Sequence, residues 1–210
     1  MENENNEQND FINGIICAIK AFFSPKPVDT INRVSTHHSS LGYGLAGAYV
    51  LASTLASSMI ASAPFRVANL FFFLDIELPY GELLYRGFTF GALTLMVFVA
   101  CVHAYLCTIK RSIPLVKTIN FVAAILLPAT FFSTVAAFLS FLHLTTAIIL
   151  IGFGLFSSLL LAIVGIRELS AYEMPLTWSA FLCFGTAIII YFWLLGWTMV
   201  APALTALFGA

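Results

Sequence analysis

Charge is what this chain has least of. Only 9% of its 210 residues are Asp, Glu, Lys or Arg, against about 25% in a typical soluble domain. Four stretches, 34–65, 87–109, 118–166 and 174–210, carry no charged side chain at all. Water does not solvate that much contiguous apolar surface, and a single core in a chain of this length cannot hide it, so the bilayer is the solvent. Other scarcities exclude further classes. A net charge of −1 leaves no field to gather nucleic acid. The four cysteines (Cys17, Cys101, Cys107 and Cys183) show no paired spacing, and three lie in apolar stretches, where a free Cys behaves as a small hydrophobe. No disulfide is expected. Residues 1–10 are acidic and Asn-rich, whereas a cleaved leader starts basic, so no cleavage is expected. There is no GxSxG, no HExxH, no phosphate loop and no Gly-rich dinucleotide fingerprint. The sequence therefore predicts neither catalytic, cofactor-binding nor metal residues, and no enzyme activity.

What is present is 60% hydrophobic, with a mean hydropathy of +0.98. About 20 apolar residues in a helix, at 1.5 Å each, cross roughly 30 Å of hydrocarbon. On that rule the chain holds five spans, at about 41–63, 88–109, 118–142, 145–166 and 178–200. The run 118–166 is too long for one crossing and divides near His143-Leu144-Thr145-Thr146. All must be helical, because lipid offers nothing to an open strand's backbone. The expected fold is an all-α integral membrane protein, a five-helix bundle over residues 41–210 behind a cytosolic segment, 1–40. Within that segment Phe11–Phe23 ends at Pro25 and Pro27, and places Asn13 and Lys20 on one face. It reads as a short helix lying in the interface. Phe65–Leu74, too short to cross, reads as a cap on one side of the bundle.

Cations orient the bundle. With five spans, Lys20, Lys26, Arg33, Lys110, Arg111, Lys117 and Arg167 fall on one side, leaving Arg66 and Arg86 for the other. This predicts the cytoplasmic (inner) membrane, with the N-terminus cytoplasmic and the C-terminus extracytoplasmic. In lipid, helices associate through small residues that let backbones approach. Gly44, Ala48, Ala52 and Ala56 follow at i+4 spacing in the first span, and Ser53, Ser57 and Ala61 form a stripe beside them. Gly87-x-x-x-Gly91 opens the second span, and Gly152, Gly154, Ser157 and Ser158 thin the fourth. These faces suit packing within the bundle first and self-association second. Pro128 should kink the third span by removing a backbone donor.

Ionisable groups inside spans are few. His103 and Cys107, four apart, share a helix face and begin a soft metal site, but no third ligand accompanies them. A histidine bonded within the bundle is the plainer reading. Asp29, Arg33 and His37 share a face at i, i+4 and i+8, as a surface ion-pair row does, and His38 points elsewhere. No span carries a stripe of carboxylates of the kind proton-coupled transport uses.

Glu82-Leu-Leu-Tyr-Arg86-Gly87-Phe-Thr-Phe-Gly91 resembles the first motif of the CAAX-processing and bacteriocin-maturation intramembrane proteases, in which two adjacent glutamates precede an arginine and a glycine. Here Gly81 stands at the first glutamate. Phe98 and Phe138 lie five residues before His103 and His143 rather than four, and no histidine follows His143. A base without partners is not an active site. The same residues also make an i,i+4 ion pair at a helix start.

A wider resemblance rests on order along the chain. A short apolar segment ends in Ser24-Pro25-Lys26-Pro27. Val28-Asp29-Thr30-Ile31-Asn32-Arg33 and His37-His38 lead into the first span. Gly165-Ile166-Arg167-Glu168-Leu169-Ser170-Ala171-Tyr172 precedes the last. Over about residues 20–200 this looks like the Yip-domain family (Ypt-interacting proteins), in its bacterial-type branch. The long cytosolic N-terminus and Asp-Leu-Tyr-Gly-Pro motif of the eukaryotic members are missing; Pro79-Tyr80-Gly81 stands nearest to it. The resemblance implies a non-enzymatic multi-pass scaffold or adaptor. Its partners would be the lipid bilayer and other membrane proteins or further copies of itself, without nucleic acid or cofactor. Two alternatives stay open: a small-solute or ion permease or channel subunit with a path along Pro128, Thr130, Ser133 and Thr134, and a degenerate CAAX-type protease centred on Glu82.

Overall fold

The computed structural model describes residues 39–72, 78–108 and 114–169, together with Ile16 and the pieces 185–186, 188–193 and 196–197. The interfacial helix expected at 11–23, the His37-His38 row, the Lys110–Arg111 connection and most of the span expected at 178–200 lie outside these residues. Among the described residues the chain is helical without strands. Five helices follow in order: α1 (Ser39–Phe72), α2 (Tyr80–Thr108), α3 (Leu115–Ile125), α4 (Leu127–Leu139) and α5 (Leu144–Leu169).

Three of them are long and apolar enough to cross a membrane: Gly42–Phe71, Tyr80–Cys107 and Leu144–Ile166. A fourth crossing is a bent pair, Leu115–Ile125 and Leu127–Leu139, broken by 47°. The protein is thus a helical membrane protein with three to four candidate spans among the described residues. Its surface has the inverted polarity of such a protein. Leu51, Phe88, Phe138, Ile149 and Phe153 are each more than half exposed, while Ser53, Ser57, Ser58, Thr118 and Ser158 are buried between helices.

Two boundaries differ from the sequence reading. The stretch 65–72 is not a separate cap but the last two turns of α1. Pro64 lacks an N–H and so takes the usual donor from the Ile60 carbonyl, yet the helix runs on to Phe72. One residue earlier, the Met59 carbonyl accepts from Ser62 Oγ at 2.9 Å and from Arg66 Nη2 at 2.8 Å. Likewise α2 starts at Tyr80 rather than Phe88, since Glu82 in its first turn complements the positive end of the helix dipole.

α1 is the hub. It packs against α2, α3 and α4, and α5 packs chiefly on α4. Phe90, Phe98, Val102 and Leu106 of α2, Phe121, Val122 and Ile125 of α3 and Ile166 of α5 form the fully buried core around it. With lipid outside, the gain from this core is close dispersion contact and not escape from water.

Candidate functional site

One close helix contact is the seam between α1 and α2. A Cβ added at Gly87 would fall 2.5 Å from Ser58 Oγ and 2.8 Å from the Thr54 carbonyl, and one at Gly91 would fall 3.0 Å from the Val50 carbonyl. Only the missing side chains let the backbones come this near. Ser58 Oγ then donates across the seam to the Leu83 carbonyl at 2.9 Å. Ser57 and Thr54 return their hydroxyls to their own helix, Ser57 to Ser53 O at 2.6 Å and Thr54 to Val50 O at 2.7 Å. Ala52 and Ala56 are buried with this face, whereas Gly44 and Ala48 are exposed. The i+4 row Gly44, Ala48, Ala52, Ala56 is therefore not one inward stripe. An i+4 row drifts around the helix because four residues exceed one 3.6-residue turn. The inward line is continued by Leu45 and Tyr49.

The second contact is the break between α3 and α4. Leu126, with φ −79° and ψ 0°, ends one helix and begins the next, and Pro128 sits in the first turn of α4. Pro128 offers no N–H to the Ala124 carbonyl. The next amide, Ala129 N–H, donates to Ser158 Oγ on α5 at 3.3 Å. One turn from Ser158 lies Gly154, where a Cβ would meet Phe132 Cβ at 2.9 Å and Ala129 Cα at 3.1 Å. The bend thus rests in a notch of α5 lined by Gly154 and Ser158. Gly152 faces open space, and Ser157 bonds back to Phe153 O at 2.9 Å. Of the residues on the suggested solute path, Thr130 donates to Leu126 O at 2.9 Å, Thr134 donates to Thr130 O at 2.8 Å, and Ser133 is buried.

Among the described residues the ionisable groups discussed above are dispersed. Glu82 is exposed and accepts from Arg86, with Nε at 3.0 Å. An exposed pair of this kind stabilises by about 0.3–0.5 kcal/mol. Glu82 and His103 are 21 positions apart on one helix, which separates them by roughly 31 Å; they do not share a site. His103 Nδ1 lies 3.1 Å from the hydroxyl of buried Thr118 and its Nε2 lies 3.8 Å from Cys107 Sγ, so it ties α2 to α3. No group of three or more His, Cys, Asp or Glu side chains able to hold a metal occurs among the described residues. His143 caps α5: its Nδ1 accepts the Thr146 N–H at 3.3 Å and meets the Thr146 hydroxyl at 3.0 Å.

Arg66 has a role that its sequence context did not signal. Besides Met59, its Nη2 reaches the Ser140 carbonyl at the end of α4 at 3.4 Å, and its guanidinium lies 4.6 Å from the centre of the Phe141 ring. A cation at a helix C-terminus and on a ring face is favourable on both counts. The contact bridges 74 residues of chain, and nothing local announces it. Asn120 of α3 fills the space that a Cβ at Gly42 would need, a second pairing legible only in three dimensions. Compared with known proteins, the chain matches no family model, no curated protein and no solved structure.

Proposed function

We propose that this is a non-enzymatic multi-pass scaffold or adaptor of the Yip-domain type, with five spans and an N-terminal interfacial helix. It would sit in the cytoplasmic membrane with the N-terminus inside and the C-terminus outside. Partners would be met by residues 1–40, by the connection around Lys110–Lys117 and by that around Arg167–Pro175. The observation that supports this reading is how the polar groups within the bundle are used. Ser58, His103, Ser158 and Arg66 each direct hydrogen bonds at a neighbouring helix. Polar groups spent on holding helices together suit a body that acts by binding others.

The test is gentle solubilisation and identification of what co-purifies with the full chain. The expected result is a membrane protein or a second copy, recovered less when Lys110, Arg111 and Lys117 are replaced by Gln. A wild-type preparation that brings down no protein removes the adaptor reading. One observation favours a second reading: broken helices border the sites of many transporters, and α3–α4 is broken by 47°. In the same preparation, reconstituted vesicles passing a solute without any partner would favour the permease.

A further inference from the structure

Two hydroxyls in the core have no hydrogen-bond partner: the Tyr49 phenol on α1 and Thr94 Oγ1 on α2. Both residues are only 1% exposed. They come from facing turns. Gly87 lies against Thr54–Ser58 and Gly91 against Val50–Ser53. The register therefore runs antiparallel, and one turn further along α2, Thr94 comes level with Tyr49–Val50. Thr94 is also the middle residue of α2 (Tyr80–Thr108), which places the pair deep in the bilayer. Tyr191 of the last apolar stretch is 5% exposed and sets its ring edge-on to Phe90, with centroids 4.9 Å apart, closing the core beside these turns. Ser53 stands one turn along α1 from Tyr49, and the phenol makes no hydrogen bond to it.

Burying a hydroxyl without a partner is costly, and more so where no bulk water is at hand. Two such groups on facing turns are matched by a single small guest that both donates and accepts. We propose that Tyr49 and Thr94 hold one ordered water molecule between α1 and α2. Buried waters typically make about 2–4 hydrogen bonds, and these two hydroxyls supply two of them.

Tyr49→Phe and Thr94→Val each remove one oxygen and keep the side-chain shape. In the full chain in detergent, each is expected to lower the apparent Tm by roughly 2–4 °C. The double replacement is expected to cost less than the sum, because both hydroxyls hold the same molecule. A Tm unchanged or raised by Tyr49→Phe, or strict additivity, overturns the proposal, since deleting an unsatisfied hydroxyl is neutral or stabilising. Where a variant fails to fold, an experimental map of the wild-type protein at a resolution that shows ordered water decides. A peak within roughly 2.5–3.2 Å of both oxygens supports the water, and no peak there overturns it.

Discussion

Ser58, Thr118 and Ser158 occupy helix contacts where a soluble core usually places Leu or Val, and each bonds to an atom of a neighbouring helix. Lipid is as apolar as any side chain, so small size and hydrogen bonding discriminate between neighbours where hydrophobicity cannot. His143 shows the same economy at a helix end. Its ring nitrogen serves the amide of Thr146 as the side-chain oxygen of an Asp or Ser would. His143→Ala is expected to destabilise by about 1 kcal/mol, and His143→Asp to restore the loss, since Asp is among the best capping residues. Thermal unfolding of the two variants in detergent checks this, and equal midpoints would remove the cap from the account. From the sequence His143 was recognisable as the point where a long apolar run divides, because Thr145 and Thr146 interrupt it. Its capping role was not, since it needs the ring turned toward its own helix.

At the scale of the element, the break between α3 and α4 followed from one covalent fact, the missing N–H of Pro128. What receives the break did not. Gly154 and Ser158 are four apart on α5, and so are other small pairs in the chain; only the packing of α4 on α5 selects this one. Gly154→Leu is therefore expected to lower folding yield and thermal stability severely, by about 1–3 kcal/mol or more from overpacking. Gly152→Leu, two positions away and facing open space, should be nearly silent. Similar losses for the two would show that the notch is not what seats the bend. α1 likewise continues past Pro64 to Phe72, where local rules read a stop; its packing against α2, α3 and α4 outweighs the one hydrogen bond that the proline removes.

For the whole molecule, the helices order their cations by end. Arg66 and Arg86 sit where α1 finishes and α2 starts, and Lys117 sits at the opposite end, at the start of α3. Five crossings would put the two termini on opposite faces of the membrane. With the four native cysteines replaced by Ala, single cysteines at Glu2 and Thr205 should be reached by an impermeant thiol reagent from opposite sides of sealed vesicles. Labelling of both from one side would leave an even number of crossings and overturn the proposed orientation.

By itself the sequence determined the solvent, the helical class and, among the described residues, the approximate places of the three to four candidate crossings, because charge-free length and proline are properties of a few consecutive residues. It also marked Gly87 and Gly91 as points of close approach, though not what approaches them. The tertiary structure alone decided which side of α1 turns inward, taking Ala52 and Ala56 and leaving Gly44 and Ala48 outside. It also joined Arg66 to Ser140, and brought the turns that carry Tyr49 and Thr94 level with each other. The physical reason is that small and apolar residues surround every helix of this chain. With lipid and protein equally apolar, no local pattern can say which face meets a neighbour, and that choice is made only when all the helices fit at once.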